Sequence, residues 1–355
     1  MFLALIPFYI IIFAFSLNDV FNVKISSKKT LYCFIMFFVL IFTFFVSNII
    51  ISTDKANYEY NFKLLTTISD YINGTAKGRR GTEAGFQFLN ITIKIFIKDE
   101  NYGVRLIVVL CVFGITYRIY QYSPQFLFLS LLIYIGHFYG WNGIILLRQT
   151  CALVILFPLL KLIPEKKYFK VIALIFIATM FHTSSLLYLF IIPLYKIFQN
   201  KRILIFAVIV TFFMGYFDIL SHFITIIAGF IPRGNVLLRY ILNQGKSGNL
   251  IAYFEMLFIL CVALYYKRKL CQNNKYANIA ITYLGFAVVL MGLFQRFEIV
   301  NRFAMAFNFY SYIILLPAFI CLLRKHWTER LLYISILGIY LFIFFIRFYY
   351  IFDKY

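Results

Sequence analysis

Leu31–Ile51 reads LYCFIMFFVLIFTFFVSNIII and contains no charged residue, no proline and no glycine. At about 1.5 Å per residue, a helix over this stretch is roughly 30 Å long, the thickness of the hydrocarbon core of a bilayer. Inside that core every backbone N–H and C=O must find its partner within the protein. Runs of this length satisfy the requirement as helices, whereas a barrel strand needs only about 9–11 residues. Further apolar runs follow outward from this stretch. With it, they place spans near 2–17, 31–51, 103–121, 125–140, 143–163, 168–181, 184–199, 203–217, 251–266, 277–294, 303–323 and 331–349. The predicted fold class is therefore all-α: a polytopic transmembrane helix bundle of about 12 spans, with short interfacial helices on the outer face and residues 1–355 forming a single transmembrane domain.

Composition agrees with this reading. Hydrophobic residues make up 63% of the chain and charged residues 13%, a balance outside the range of soluble domains. The 45 Phe and 28 Tyr suit lipid-facing surface and, for Tyr, the headgroup boundary. The net charge of +21 lies in short breaks between apolar runs and forms no continuous basic face, so it reads as a set of topology determinants and not as a nucleic-acid surface. The six cysteines are scattered without CxxC or Cys/His spacing, and neither a disulfide framework nor a metal site is expected. Residues 1–16 lack a preceding basic segment and a small-residue cleavage site, and read as the first span.

The basic breaks fall between alternate spans: Lys24, Lys28 and Lys29; Lys166, Lys167 and Lys170; Lys196, Lys201 and Arg202; Lys267, Arg268 and Lys269; Arg324, Lys325 and Arg330. The positive-inside rule puts them in the cytoplasm and both termini outside. Two external segments remain, residues 52–102 and 218–250. The first contains FQFLNITIKIFIK (Phe86–Lys98), which is short for a span and carries Lys94 and Lys98; an interfacial or re-entrant helix is expected there. The second ends a surface helix at Pro232 and Gly234.

Ionisable groups at or inside the membrane are costly and point to function. Arg148 lies several residues into the apolar run GWNGIILLRQTCALVILF, and His182 sits in ATMFHTSSLLYLF between two apolar runs. Arg296, Glu298 and Arg302 fall in the break LFQRFEIVNRF, while Asp54 and Glu83 flank the first external segment. The expected topology brings all of them to the outer face. Each has a bland alternative: Arg296 and Arg302 as residues snorkelling to headgroups, His182 as a packing residue, Glu83 as a first-turn acid. Together, arginine forks suit phosphate, and a carboxylate or imidazole suits removal of a proton from a sugar hydroxyl.

At these residues the chain resembles the EpsG-like branch of the Wzy oligosaccharide repeat-unit polymerases. The resemblance is an ordering along the whole chain: TDKANYEY (Asp54, Tyr58, Tyr60), EAGF (Glu83–Phe86), RQTCA (Arg148–Ala152), FHTS (Phe181–Ser184) and the arginine-bearing QRFEIVNR. Members of that family often carry an arginine just before the acidic element, which VSNIIISTD lacks. The resemblance implies a metal-independent glycosyltransferase without cofactor, acting at the periplasmic or outer face of the bacterial inner membrane. It would move a growing glycan on undecaprenyl diphosphate onto a new lipid-linked repeat unit, for O-antigen, capsule or exopolysaccharide. It also implies Arg148, Arg296 and Arg302 as diphosphate binders, Glu83 or His182 as the acceptor-activating base, with Glu83 slightly ahead, and Asp54, Tyr58 and Gln149 as acceptor contacts. A chain-length regulator and a flippase are the implied protein partners. The rival readings are a lipid-linked oligosaccharide flippase or other transporter, a membrane acyltransferase that modifies surface sugars, and a purely structural subunit. No internal repeat of the transporter kind is detectable.

Overall fold

The computed structural model describes residues 2–23, 27–49, 53–64, 67, 69, 83–219, 250–295, 298–323 and 326–352. Among these residues there is no strand. In chain order the helices are α1 (Phe2–Val20), α2 (Lys28–Ile49), α3 (Thr53–Leu64), α4 (Ala84–Phe96), α5 (Glu100–Tyr122) and α6 (Leu127–Ile133), which runs on as a π-helix over Tyr134–Ile145. Then come α7 (Leu147–Leu156), a single turn at Leu159–Leu162, α8 (Tyr168–Thr179), a 3₁₀ segment at Thr183–Phe190 and α9 (Ile191–Ile197). The remainder are α10 (Lys201–Tyr216), α11 (Leu250–Tyr265), α12 (Lys267–Asn273), α13 (Ala277–Leu293), α14 (Glu298–Ala318) and α15 (Trp327–Phe352).

Among the described residues, five helical stretches are long and apolar enough to cross a membrane: Lys28–Asn48, Glu100–Tyr122, Leu127–Ile145, Arg302–Leu322 and Trp327–Arg347. A sixth is formed if α11 and α12, bent by 80° at Tyr266, count as one broken span. Elsewhere the apolar runs form helices too short to pass as spans by length, among them Ile6–Val20, Tyr168–Thr179, Thr183–Ile197 and Ala277–Leu293, so the described residues show five or six of the expected spans. The chain is a multi-pass, all-helical membrane protein. Helix α4 has 13 residues and covers about 20 Å, short of the hydrocarbon thickness. Most of the second external segment, residues 220–249, lies outside the described residues.

The chain divides into two compact units. The first comprises Met1–Leu159, Phe169–Leu186 and Leu323–Tyr355; the second comprises Leu160–Tyr168 and Leu187–Leu322. In the first, α1 packs on α6, α2 and α3 pack on α5, and α15 packs on the π-helix. The π-helix is almost wholly buried, with Tyr134, Phe138 and Tyr139 inaccessible, whereas α2 and α15 expose long rows of Phe and Ile as expected for surface wetted by lipid. Gly136 lets the π-helix approach α15 closely: a Cβ there would lie 2.6 Å from the Cβ of Leu341. In the second unit α13 is the hub, contacting α14, α10, α11 and α9. Gly215 on α10 faces the carbonyl of Gly292 on α13 so closely that no side chain fits between them. Tyr312 on α14 donates a 2.6 Å hydrogen bond to Glu255 on α11.

One end of the first unit is held by a buried ion pair. Asp19, at the end of α1, accepts from the backbone N–H groups of Phe128 (2.7 Å) and Leu129 (3.0 Å), capping α6 from a distant part of the chain. Lys28, at the start of α2, sits 2.5 Å from the same carboxylate and also donates to the carbonyl of Gln125. Arg330 on α15 donates to the carbonyl of Val20, so four helix ends meet here.

Candidate active site

Arg148 is the second residue of α7, just after the chain breaks at Leu146, whose ψ of 54° interrupts the preceding π-helix. The sequence alone shows an arginine inside an apolar run; the break places it in the first turn of a new helix. A cation at that end opposes the helix dipole and needs an anion beside it. Glu83 supplies one: its Oε2 lies 2.7 Å from Nη1 of Arg148.

Glu83 is the N-cap of α4, a position where a carboxylate is favoured. Its other oxygen, Oε1, faces the His182 imidazole, with Nδ1 at 3.6 Å, and the backbone N–H of Thr183 at 3.4 Å. The meeting of EAGF and FHTS depends on Gly85. Its N–H donates to the carbonyl of Met180 at 2.8 Å, and a Cβ on Gly85 would lie 2.9 Å from that same oxygen. Only a residue without a side chain permits this approach. Tyr58, from α3, closes the remaining side. Its hydroxyl interacts with the Arg148 guanidinium, and its buried ring packs on Phe86 at 5.4 Å.

The electrostatics favour a fixed charge on Glu83. Burial opposes ionisation, but the His182 contact, the residue's own backbone N–H and the Arg148 charge outweigh it and hold the carboxyl down at about 2. Burial pushes the Tyr58 hydroxyl up to about 12, with the Arg148 charge opposing, so it stays protonated. Arg148, Glu83 and His182 all retain partial access, with side chains 33%, 14% and 25% exposed. Nε of Arg148 is buried without a hydrogen-bond partner among the described residues. The cluster can therefore bind an anion at the guanidinium and accept a proton at the imidazole.

Of the other residues singled out, Gln149 is buried beside Arg148, and Asp54 is half-buried in the first turn of α3, close enough to Tyr58 for its charge to act on the phenol. Arg302 is exposed on α14 in the second unit, and Arg296 lies outside the described residues. One arginine escaped the sequence reading. Arg105, buried on α5, places its guanidinium against Asn48 of VSNIIISTD, the stretch without an arginine of its own. Its signal was the one that marked Arg148: a cation a few residues into an apolar run, here NYGVRLIVVL.

These features define a multi-pass membrane protein whose membrane-associated site joins an arginine, a carboxylate and a histidine drawn from three separate segments. Residues 30–355, nearly the whole chain, match the sequence profile of the EpsG family, and the chain belongs to that family of Wzy-like polymerases. Membership gives it a polysaccharide-polymerase-like role in the membrane. No curated protein matches the chain, and no solved structure does.

Proposed function

We propose that the chain polymerises undecaprenyl-diphosphate-linked oligosaccharide repeat units at the outer face of the bacterial inner membrane. The observation that carries this reading is the meeting of Glu83, Arg148 and His182, which come from three separated motifs and form one partly accessible cluster in the first unit. On this reading the shorter apolar helices supply the spans needed to reach about twelve, and both termini lie outside.

The reaction is a displacement at the anomeric carbon of the donor glycan. A hydroxyl of the acceptor repeat unit attacks that carbon, the bond from the carbon to the diphosphate oxygen breaks, and undecaprenyl diphosphate leaves with the bonding electron pair. Arg148 neutralises the charge that grows on the leaving diphosphate, the task for which a divalent cation is the usual alternative. Arg296 and Arg302 are proposed as diphosphate contacts of their own. The proton from the acceptor hydroxyl goes to Nε2 of His182, while Glu83 faces Nδ1 and orients the ring, as a carboxylate does in a His–Asp pair. A carboxyl held at about 2 is a weak base, which favours His182 over Glu83 for proton removal. Asp54, Tyr58 and Gln149 are proposed acceptor contacts, and a chain-length regulator and a flippase are proposed partners.

A clean deletion, complemented in trans and read by surface-glycan length, tests the function. Loss of the polymer ladder with survival of single-repeat glycan supports polymerisation. Loss of all repeat-bearing glycan overturns it in favour of transport.

A further inference from the structure

Helix α4 turns Phe88, Ile95 and Phe96 outward and buries two amides, Gln87 and Asn90. The outward apolar side suits lipid. The buried amides are the unexpected part, because a buried polar group needs a partner within the protein. Asn90 is 1% exposed, and neither its Nδ2 nor its Oδ1 has a hydrogen-bond partner among the described residues. Burying both halves of an amide unpaired is costly, and an apolar side chain of similar size would avoid the cost.

Asn90 faces α3. Phe86, Asn90 and Lys94 follow one another at intervals of four residues and so form one stripe along α4. Both ends of that stripe touch α3: the Phe86 ring packs on Tyr58 at 5.4 Å, and Nζ of Lys94 donates to the carbonyls of Phe62 and Lys63, each at 2.8 Å. Opposite the middle of the stripe lies Asn61, three residues after Tyr58 and on the same face of α3. It is 4% exposed, and its Oδ1 also has no partner among the described residues. Lys94 closes one end of this seam, while at the other end Tyr58 reaches the Arg148 guanidinium. Since α3 packs chiefly on α5, its seam with α4 is the slighter contact and can part without α3 leaving the bundle.

We infer that the α3–α4 seam is a sugar-binding subsite in which Asn61 and Asn90 hydrogen-bond the hydroxyl groups of a ring in the lipid-linked glycan. A sugar hydroxyl both donates and accepts, which matches the donor and acceptor of Asn90 and the acceptor of Asn61. The seam opens toward Arg148, so a ring held there lies next to the reacting end of the glycan. Recognition of the sugar is thereby separated from the chemistry: neutral amides read the ring, and the Glu83–Arg148–His182 cluster handles charge and proton. The inference takes its ligand from the polymerase reading and rests on it in that respect, whereas the unpaired amides are a property of the fold.

The test uses the full chain in phosphatidylcholine nanodiscs and native mass spectrometry with two probes: undecaprenyl diphosphate carrying the host strain's own repeat unit, all glycan lengths counted together, and undecaprenyl diphosphate alone. The wild type is expected to retain the glycan-bearing lipid more tightly than the bare one. Asn90→Leu, alone and combined with Asn61→Leu, should weaken retention of the glycan-bearing lipid by roughly tenfold and leave the bare lipid as in the wild type. The unfolding temperature of Asn90→Leu should stay level or rise, because an unpaired buried amide has been removed. If Asn90→Leu does not fold, Asn90→Ala carries the same comparison. A folded variant that keeps the wild-type preference for the glycan-bearing lipid overturns the inference, as does an equal loss of both lipids or a wild type without any preference. Polymer formed from the glycan-bearing lipid is read in parallel. A wild type that forms none, while Asn90→Leu still abolishes glycan-dependent retention, overturns the polymerase reading and leaves the sugar subsite standing.

Discussion

Two ion pairs of the first unit, Asp19–Lys28 and Glu83–Arg148, are built for opposite purposes. Asp19 is fully buried, accepts from two backbone N–H groups as well as meeting Lys28, and lies at a junction of four helix ends. Its charge is consumed by the fold. Glu83 and Arg148 are partly accessible, Nε of Arg148 lacks a partner among the described residues, and an imidazole stands beside the carboxylate. That charge is held in place but not used up. What separates a structural pair from a functional one here is how much hydrogen-bonding capacity the surrounding backbone has already taken.

The contrast is broken most severely at Arg148. Arg148→Gln removes the counter-charge of a half-buried carboxylate and the proposed diphosphate ligand together. Polymer formation at matched expression is expected to fall by on the order of a hundredfold or more, read from glycan ladder length. Next comes His182: His182→Ala should cost about a hundredfold in rate with protein level retained, and Glu83→Gln a smaller factor, on the order of tenfold, since it would disturb orientation and not proton removal. Full polymer from a well-expressed His182→Ala would return the base to Glu83. Asp19→Ala should do the reverse of both. It is expected to lower stability by on the order of 3 kcal/mol, seen as a lower unfolding temperature in detergent, with polymer length per folded molecule unchanged.

The smallest expected effect is on pH dependence. Because the folded carboxyl of Glu83 is depressed from 4.5 to about 2, its ionised form stabilises the fold; that contribution is complete above the unfolded value and is lost as pH falls from about 4.5 through 2. Unfolding temperatures of the wild type and Glu83→Gln should therefore run parallel from pH 8 to 5 and converge below about 4. Convergence beginning near pH 6 would show that Arg148 and His182 do not hold the charge as described.

Much of the site could be read from the chain because its chemistry is expensive. A guanidinium in an apolar run, a carboxylate next to a glycine and a histidine between apolar runs each stand out against a background that is 63% hydrophobic. Arg105 carries the same mark, but no motif surrounds it. The partnership of Tyr58 with Arg148 had no sequence signal, since 28 tyrosines offer too many candidates. Cys111 and Cys151 are another case: scattered in sequence, both free, yet with sulfurs 3.5 Å apart between α5 and α7.

By itself the sequence determined that this chain is helical, that it belongs in a membrane and that its few intramembrane charges matter, because hydrocarbon penalises every unpaired backbone group and every stray ion. Which charges pair was decided only in the tertiary structure. The chain break at Leu146 moves Arg148 from the middle of an apolar run to the first turn of a helix, and the bare Cα of Gly85 lets Glu83 approach His182. Neither event leaves a periodic trace, because both depend on the close approach of segments about 65 and 100 residues apart, fixed by packing and not by local preference.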